Sequence, residues 1–117
     1  MVNSARTDPD TVLRAFAEPT RLSLLVLLSA GEVCVCDLVS ALALPQPTIS
    51  RHLGVLRRAG MVEARRVGTW MWYRLSPAGC GLHIKLLACL PACREELPGL
   101  GRAARKCDQL RSGRTCC

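Results

Sequence analysis

Cys34 and Cys36 are two of eight cysteines in a chain of 117 residues. Thiols one residue apart can hold a soft metal ion or undergo oxidation. On a regular helix, positions i and i+2 lie about 200° apart around the axis, so both sulfurs reach one ion only if that turn distorts. Without further context, the same pair reads equally well as two small core residues. Adjacent Cys116 and Cys117 do not easily pair with each other but chelate a large soft ion readily. They are either a separate tail site or idle thiols on a frayed terminus. Cys89 and Cys93 stand at i and i+4, a usable metal spacing, with Pro91 between them expected to kink or end the helix. Together with Cys80 they read as mostly structural. No Gly-rich phosphate loop precedes any cysteine, which argues against a thiol enzyme and leaves the chain without an expected catalytic role.

Eight cysteines in a secreted chain of this size would imply a disulfide framework. Residues 1–8 are polar, however, without the apolar stretch of a secretory signal. The longest apolar run, residues 22–28, is far below the roughly 20 residues that span a bilayer. The expectation is a cytoplasmic protein whose thiols are metal-binding or redox-active. Half of the residues are hydrophobic, enough for one packed domain without cross-links.

Charge narrows the class of partner. The formal net charge is +7, and residues 46–74 carry six arginines against Glu63 alone. A second basic segment, residues 100–117, sets five bases against Asp108. Fourteen of the sixteen bases are arginine, whose planar fork suits phosphate oxygens. Nucleic acid is therefore the expected partner.

The elements that would position these groups are legible from periodicity. Asp8-Pro9-Asp10 opens a short helix with Val12, Leu13 and Phe16 on one face. Glu18-Pro19 opens a second, almost wholly apolar helix ending near Gly31, expected to be the central core element. A third begins around Cys34 to Cys36 and buries Val35, Leu38, Val39 and Leu42 until Pro45 stops it. The fourth starts at Pro47 with Gln46 as cap, buries Ile49, Leu53 and Leu56, and ends at Gly60. Its outward residues are Thr48, Ser50, Arg51, Arg57 and Arg58.

Two helices joined by so short a turn, the second polar and basic on its free side, have the organisation of a helix-turn-helix. Residues 61–67 and 70–75 then read as a hairpin, or wing, turning at Gly68-Thr69. Pro77 begins a fifth helix through Leu82, Ile84, Leu86, Leu87 and Leu90, whose excess apolar surface suits a dimer interface. From Pro98 onward no hydrophobic periodicity is evident. The expected fold is mainly α with a small β-hairpin, a winged helix-turn-helix dimeric through its terminal helices. The domain spans residues 1–97, and a flexible, basic, cysteine-containing tail spans residues 98–117.

Three blocks now fall in sequence: Glu32-Val33-Cys34-Val35-Cys36-Asp37-Leu38, Gln46-Pro47-Thr48-Ile49-Ser50-Arg51-His52-Leu53 and Trp72-Tyr73-Arg74-Leu75-Ser76. In order and spacing they resemble the arsenic-responsive ArsR repressors of the ArsR/SmtB family, over about residues 10–97. The resemblance implies a homodimer with two recognition helices in successive major grooves of a palindromic double-stranded operator. It further implies release when As(III) or Sb(III) binds Cys34 and Cys36, derepressing arsenic-resistance genes, with no organic cofactor. Repressors of this type often carry a third cysteine where this chain has Val39. A third sulfur would have to come from Cys107, Cys116 or Cys117, unless two thiolates suffice, as for a methylated trivalent arsenical.

On the recognition helix, Gln46, Thr48, Ser50 and Arg51 lie in the half that reaches base edges, where arginine pairs with guanine and glutamine with adenine. Arg57, with Arg65, Arg66 and Arg74 of the wing, reads as phosphate contacts. His52 either contacts phosphate or packs locally; Trp70 and Trp72 either join the DNA contacts or pack on the dimer body. A soft centre on Cys34 and Cys36 is expected to unwind the helix supporting the recognition helix, so ligand and operator compete. Two rival regulators share the fold. A Zn or Cd sensor would have only His83 and the Glu95-Glu96 pair on the terminal helix. A redox switch would oxidise Cys34 or a tail cysteine.

Overall fold

The computed structural model describes residues 8–113. Helix α1 (Pro9–Phe16) is capped by Asp8, whose carboxylate accepts the Thr11 N–H at 3.3 Å. Helix α2 (Pro19–Leu28) is capped by Glu18, which accepts the Arg21 N–H at 2.8 Å. A helix that is apolar nearly all round has to be buried on all sides. Accordingly Leu24, Leu25, Leu27 and Leu28 are fully buried, each contributing roughly 1.5–3 kcal/mol by leaving water.

Helix α3 (Val35–Leu42) ends at Ala43, which adopts the left-handed conformation at φ 55°. That turn swings the chain into helix α4 (Gln46–Arg58), packed against both α3 and α2. Pro45 occupies the cap position, so Gln46 is the first residue of α4 and not its cap. Leu38 of α3 and Ile49, Leu53 and Leu56 of α4 are fully buried, as their spacing requires. Gly60, at φ 77°, closes α4 by donating its N–H to the Arg57 carbonyl, a backbone conformation that favours glycine.

Strands β2 (Val62–Val67) and β3 (Trp70–Leu75) form the expected antiparallel hairpin. A third strand was not expected. Strand β1 (Val33–Cys34) pairs with β3 through Val33 opposite Tyr73 and Cys34 opposite Trp72, giving the order β1-β3-β2. Two residues are too few to display an alternating pattern. For this reason the strand is visible only through its partner.

Helix α5 (Gly81–Glu96) starts later than expected, because residues 77–80 precede it without helical structure. It does not end at Pro91, which lies inside it. The largest correction concerns residues 98–117. Helix α6 (Leu100–Gly113) occupies most of the expected flexible tail and packs on α3, α5 and α2. Its buried residues are Leu100, Ala103, Ala104 and Cys107, at i, i+3, i+4 and i+7 of one helical face. The stripe consists mostly of small residues between arginines, so it reads as polar while still packing closely. Among the described residues, no helix is long and apolar enough to cross a membrane.

Candidate thiol centre and nucleic-acid interface

Cys34 is both the last residue of β1 and the residue preceding the first turn of α3, with an extended backbone at φ −74° and ψ 144°. Its side chain therefore does not follow the angular progression of the helix. Cys36 sits on the first turn. The two sulfurs stand 3.2 Å apart, which overturns the expectation that they point to opposite sides. No unwinding is needed to bring them together. Two thiolates on one centre with bonds of about 2.3 Å stand roughly 3.5–3.8 Å apart, so the pair has only a few tenths of an ångström to open. Cys34 is completely buried and Cys36 half-buried. Cys36 is itself disulfide-bonded and not among the free cysteines, and its sulfur also lies 3.8 Å from the Asp37 carboxylate.

Among the described residues, no third sulfur completes a metal-binding group with them. Cys107 is buried on α6, and burial pushes its thiol up to about 11. Among the described residues, no three His, Cys, Asp or Glu side chains gather as a metal-binding group. Cys107 therefore does not complete the centre in this conformation. Cys116 and Cys117 lie outside the described residues.

The thiol pair connects to the hairpin beyond the β1–β3 pairing. Glu32, just before β1, accepts two hydrogen bonds from the Arg65 guanidinium on β2, both at 2.7 Å. These bonds hold the Glu32 carboxyl below its ordinary range. The guanidinium also lies 5.8 Å over the Trp72 ring. Arg65, expected to contact phosphate, is thus a tether across the base of the wing. Glu32 belongs to the first sequence block, but nothing in its spacing identified this partner. Arg74 is likewise paired, with Glu63 directly opposite it, at 2.9 Å.

On α4, Gln46, Ser50 and Arg51 are exposed near the N-terminal end, Thr48 is half-buried, and Arg57 and Arg58 are exposed near the C-terminal end. Arg66 and Trp70 are exposed on the hairpin. His52 is not part of this surface. It is 9% exposed, with its Nδ1 3.4 Å from Arg21 and 3.8 Å from Glu18. Arg21 in turn donates to the carbonyls of Ala15 and Arg14, so this group joins α4 to α2 and α1. The polar character of His52 is used inside, because it lies on the same inner side of the helix as Ile49, Leu53 and Leu56.

His83 is fully buried on α5 and accepts the Gly79 N–H at Nδ1, at 2.9 Å. Burial lowers its pKa. It is an internal neutral imidazole and not a ligand set with Glu95 and Glu96, which are exposed at the far end of the helix.

A helix-turn-helix carrying an exposed basic second helix and a three-stranded wing defines a winged-helix DNA-binding protein. Comparison with known proteins gives the family. Residues 18–64 match the model described as bacterial regulatory protein, arsR family. An uncharacterized HTH-type transcriptional regulator of Methanocaldococcus jannaschii is 51% identical over 63 residues, 53% of this chain and 71% of that protein. The arsenical resistance operon repressor of Escherichia coli is 50% identical over 70 residues, 59% of this chain and 60% of that protein. The chain thus spans a little under two thirds of that repressor. Among solved structures, HlyU from Vibrio cholerae aligns with a TM-score of 0.63 and 31% identity, covering 74% of this chain and 88% of that one. The homodimeric winged helix-turn-helix DNA-binding domain Mb0332 from Mycobacterium bovis aligns with a TM-score of 0.59 and 33% identity, covering 74% and 78%. The chain belongs to the arsR family of bacterial regulatory proteins. It is a DNA-binding transcriptional regulator and not an enzyme.

Proposed function

We propose that the protein is a cytoplasmic repressor that binds a palindromic operator as a homodimer and leaves it when trivalent arsenic or antimony is captured by Cys34 and Cys36. The observation that carries this reading is the 3.2 Å approach of the two sulfurs at the joint between β1 and α3. The arsenical resistance repressor named above supports the choice of inducer.

Gln46, Thr48, Ser50 and Arg51 read base edges, and Arg57 and Arg66 contact phosphate. Dimerisation uses the apolar surface of the terminal helices. Leu13 on α1 is 50% exposed and Ile84 on α5 is 57% exposed, and these two helices pack against each other. The homodimeric relative supports a second copy as the cover for that surface.

When bound, the trivalent centre supplies two bonds to sulfur. With both side chains reduced, Cys34 and Cys36 would each give a proton to a hydroxyl of the centre, which leaves as water. Cys34 has no exposed surface, so the remaining substituent needs room between β1 and the start of α3. Making that room shifts α3, against which α4 packs, and moves the recognition surface out of register with the operator. Release therefore follows from wedging the joint, in place of the unwinding expected from regular helix geometry.

The decisive experiment measures operator release by fluorescence anisotropy during arsenite, antimonite and methylarsenite titrations of the wild type, Cys34→Ser and Cys36→Ser. Both variants are expected to bind operator and fail to release it. Normal release by the double variant would refute the reading. The same sulfur contact also favours a redox switch, in which Cys34 and Cys36 are oxidised. Thiol titration with and without arsenite under reducing conditions separates the two, because only metalloid capture consumes thiols without an oxidant.

A further inference from the structure

We propose that Arg21 is a positioning residue that fixes the reading helix α4 relative to the dimer helix α1. It thereby sets which spacing of operator half-sites the protein accepts. This role rests on the homodimeric reading proposed above. Helix α1 packs on α2 and α5, and α4 packs on α2 and α3. Between α1 and α4 lies a cleft of about 270 Å3, with Thr11 and Ala15 on one wall and Val55 and Ala59 on the other. Because the walls do not close on each other, packing across the cleft does not fix the angle between the two helices.

Arg21, which reaches into the cleft from α2, joins the two walls. Its Nε donates to the Ala15 carbonyl and its Nη2 to the Arg14 carbonyl, both at 3.0 Å, in the last turn of α1. Carbonyls at a helix C-terminus are short of partners and carry the negative end of the helix dipole, so a guanidinium suits them. Its Nη1 stands 3.4 Å from His52 Nδ1 on α4. Arginine has donors only, so the imidazole nitrogen accepts in this contact. Glu18 holds the root of the link, accepting the Arg21 N–H at 2.8 Å with its carboxylate 3.8 Å from the same imidazole nitrogen. A planar fork sets the directions of all these bonds together, which a lysine point charge does not. Helix α1 has eight residues, too few to be stable alone, so contacts of this kind decide where it lies.

One added base pair moves a half-site about 3.4 Å along the duplex and turns it about 34° around the axis. Two reading helices held rigidly to a shared dimer core cannot follow both displacements. Rigidity of the α1–α4 relation therefore becomes selectivity for spacing, whereas a loose link lets each α4 adjust to its own half-site.

Binding sites for the full-length chain are first selected from random duplexes of roughly 40 base pairs, room for two half-sites one or two helical turns apart. Affinity is then measured for the selected operator and for versions with one base pair added to or removed from its centre. The wild type is expected to lose on the order of tenfold for either change, the scale of one mismatched base pair. Arg21→Met, which keeps the stem and loses every donor, should bind all of these spacings within about threefold of one another. From the other wall, His52→Gln, whose amide oxygen accepts from Arg21, should keep the steep profile, and His52→Leu should flatten it. Partial unfolding or weak dimerisation lowers affinity for every spacing alike, so the ratios report positioning and not stability. A steep wild-type profile retained by Arg21→Met or by His52→Leu would overturn the proposal alone. A wild type indifferent to spacing would overturn the homodimeric reading with it.

Discussion

The two thiol pairs use the same donors in different mechanical settings. Cys34 is rooted in a strand and Cys36 in a helix, whereas Cys89 and Cys93 share one helix. A ligand bridging the first pair changes how two elements meet, one of them packed on the DNA-reading helix. A ligand bridging the second pair would staple a single turn. The donor set decides which ion is held, and the surrounding packing decides whether holding it has consequences elsewhere.

The sharpest way to break that comparison is to remove each pair and measure operator release. Loss of Cys34 or Cys36 should abolish release. A coupling of about 1–3 kcal/mol, roughly a 5- to 150-fold change in operator affinity on ligand addition, should vanish. Cys89→Ser with Cys93→Ser should leave that coupling intact. Equal effects from both pairs would show that mechanical setting does not separate them.

The reading surface provides the next largest effect. Arg51→Ala should weaken operator binding by about 1–3 kcal/mol and relax preference at one base pair. Arg66→Ala should weaken binding uniformly across sequences and reduce the salt slope by about one. Competition titrations with operator variants at several salt concentrations distinguish the two roles. A uniform loss for Arg51→Ala would place it on phosphate.

How much of this was legible depended on whether the signal was local. Helices α1 to α4 announce themselves through caps, prolines and buried stripes, and the hairpin through its Gly68 turn. Helix α6 was legible in principle, since Leu100, Ala103, Ala104 and Cys107 keep helical spacing, but alanine and cysteine carry little hydrophobic weight among arginines. The thiol geometry was not legible, because it turns on Cys34 being extended and not helical. That follows from pairing with Trp72, 38 positions away in sequence. The Glu32–Arg65 tether and the inward role of His52 are also tertiary facts.

The tether itself offers a smaller test. In Glu32→Gln the guanidinium of Arg65 loses its charged partner and becomes available to phosphate. Operator affinity should rise a few-fold at low salt, and the slope of log affinity against log salt should steepen by about one contact. Arg65→Ala should not reproduce that gain. Unchanged slope in Glu32→Gln would mean that Arg65 keeps its place over Trp72 without the carboxylate.

The smallest expected effect concerns the platform of the second pair. His83 anchors α5 from inside, and burial holds its folded-state pKa below the ordinary 6.5. The unfolded chain therefore takes up a proton at this histidine at a higher pH than the folded chain does. Stability rises with pH wherever the unfolded state binds more protons. The contribution of His83 is thus complete well above pH 6.5 and is lost as pH falls through that value towards the folded pKa. Between pH 7.5 and 5.5 the thermal midpoint should fall by roughly a few degrees. In His83→Gln, whose amide oxygen can still accept the Gly79 N–H, this part of the decline should disappear while the midpoint above pH 7 changes little. Parallel declines in the two proteins would mean that the imidazole gains its proton without disturbing the packing of α5. The helix carrying Cys89 and Cys93 would then be insensitive to acid in this range.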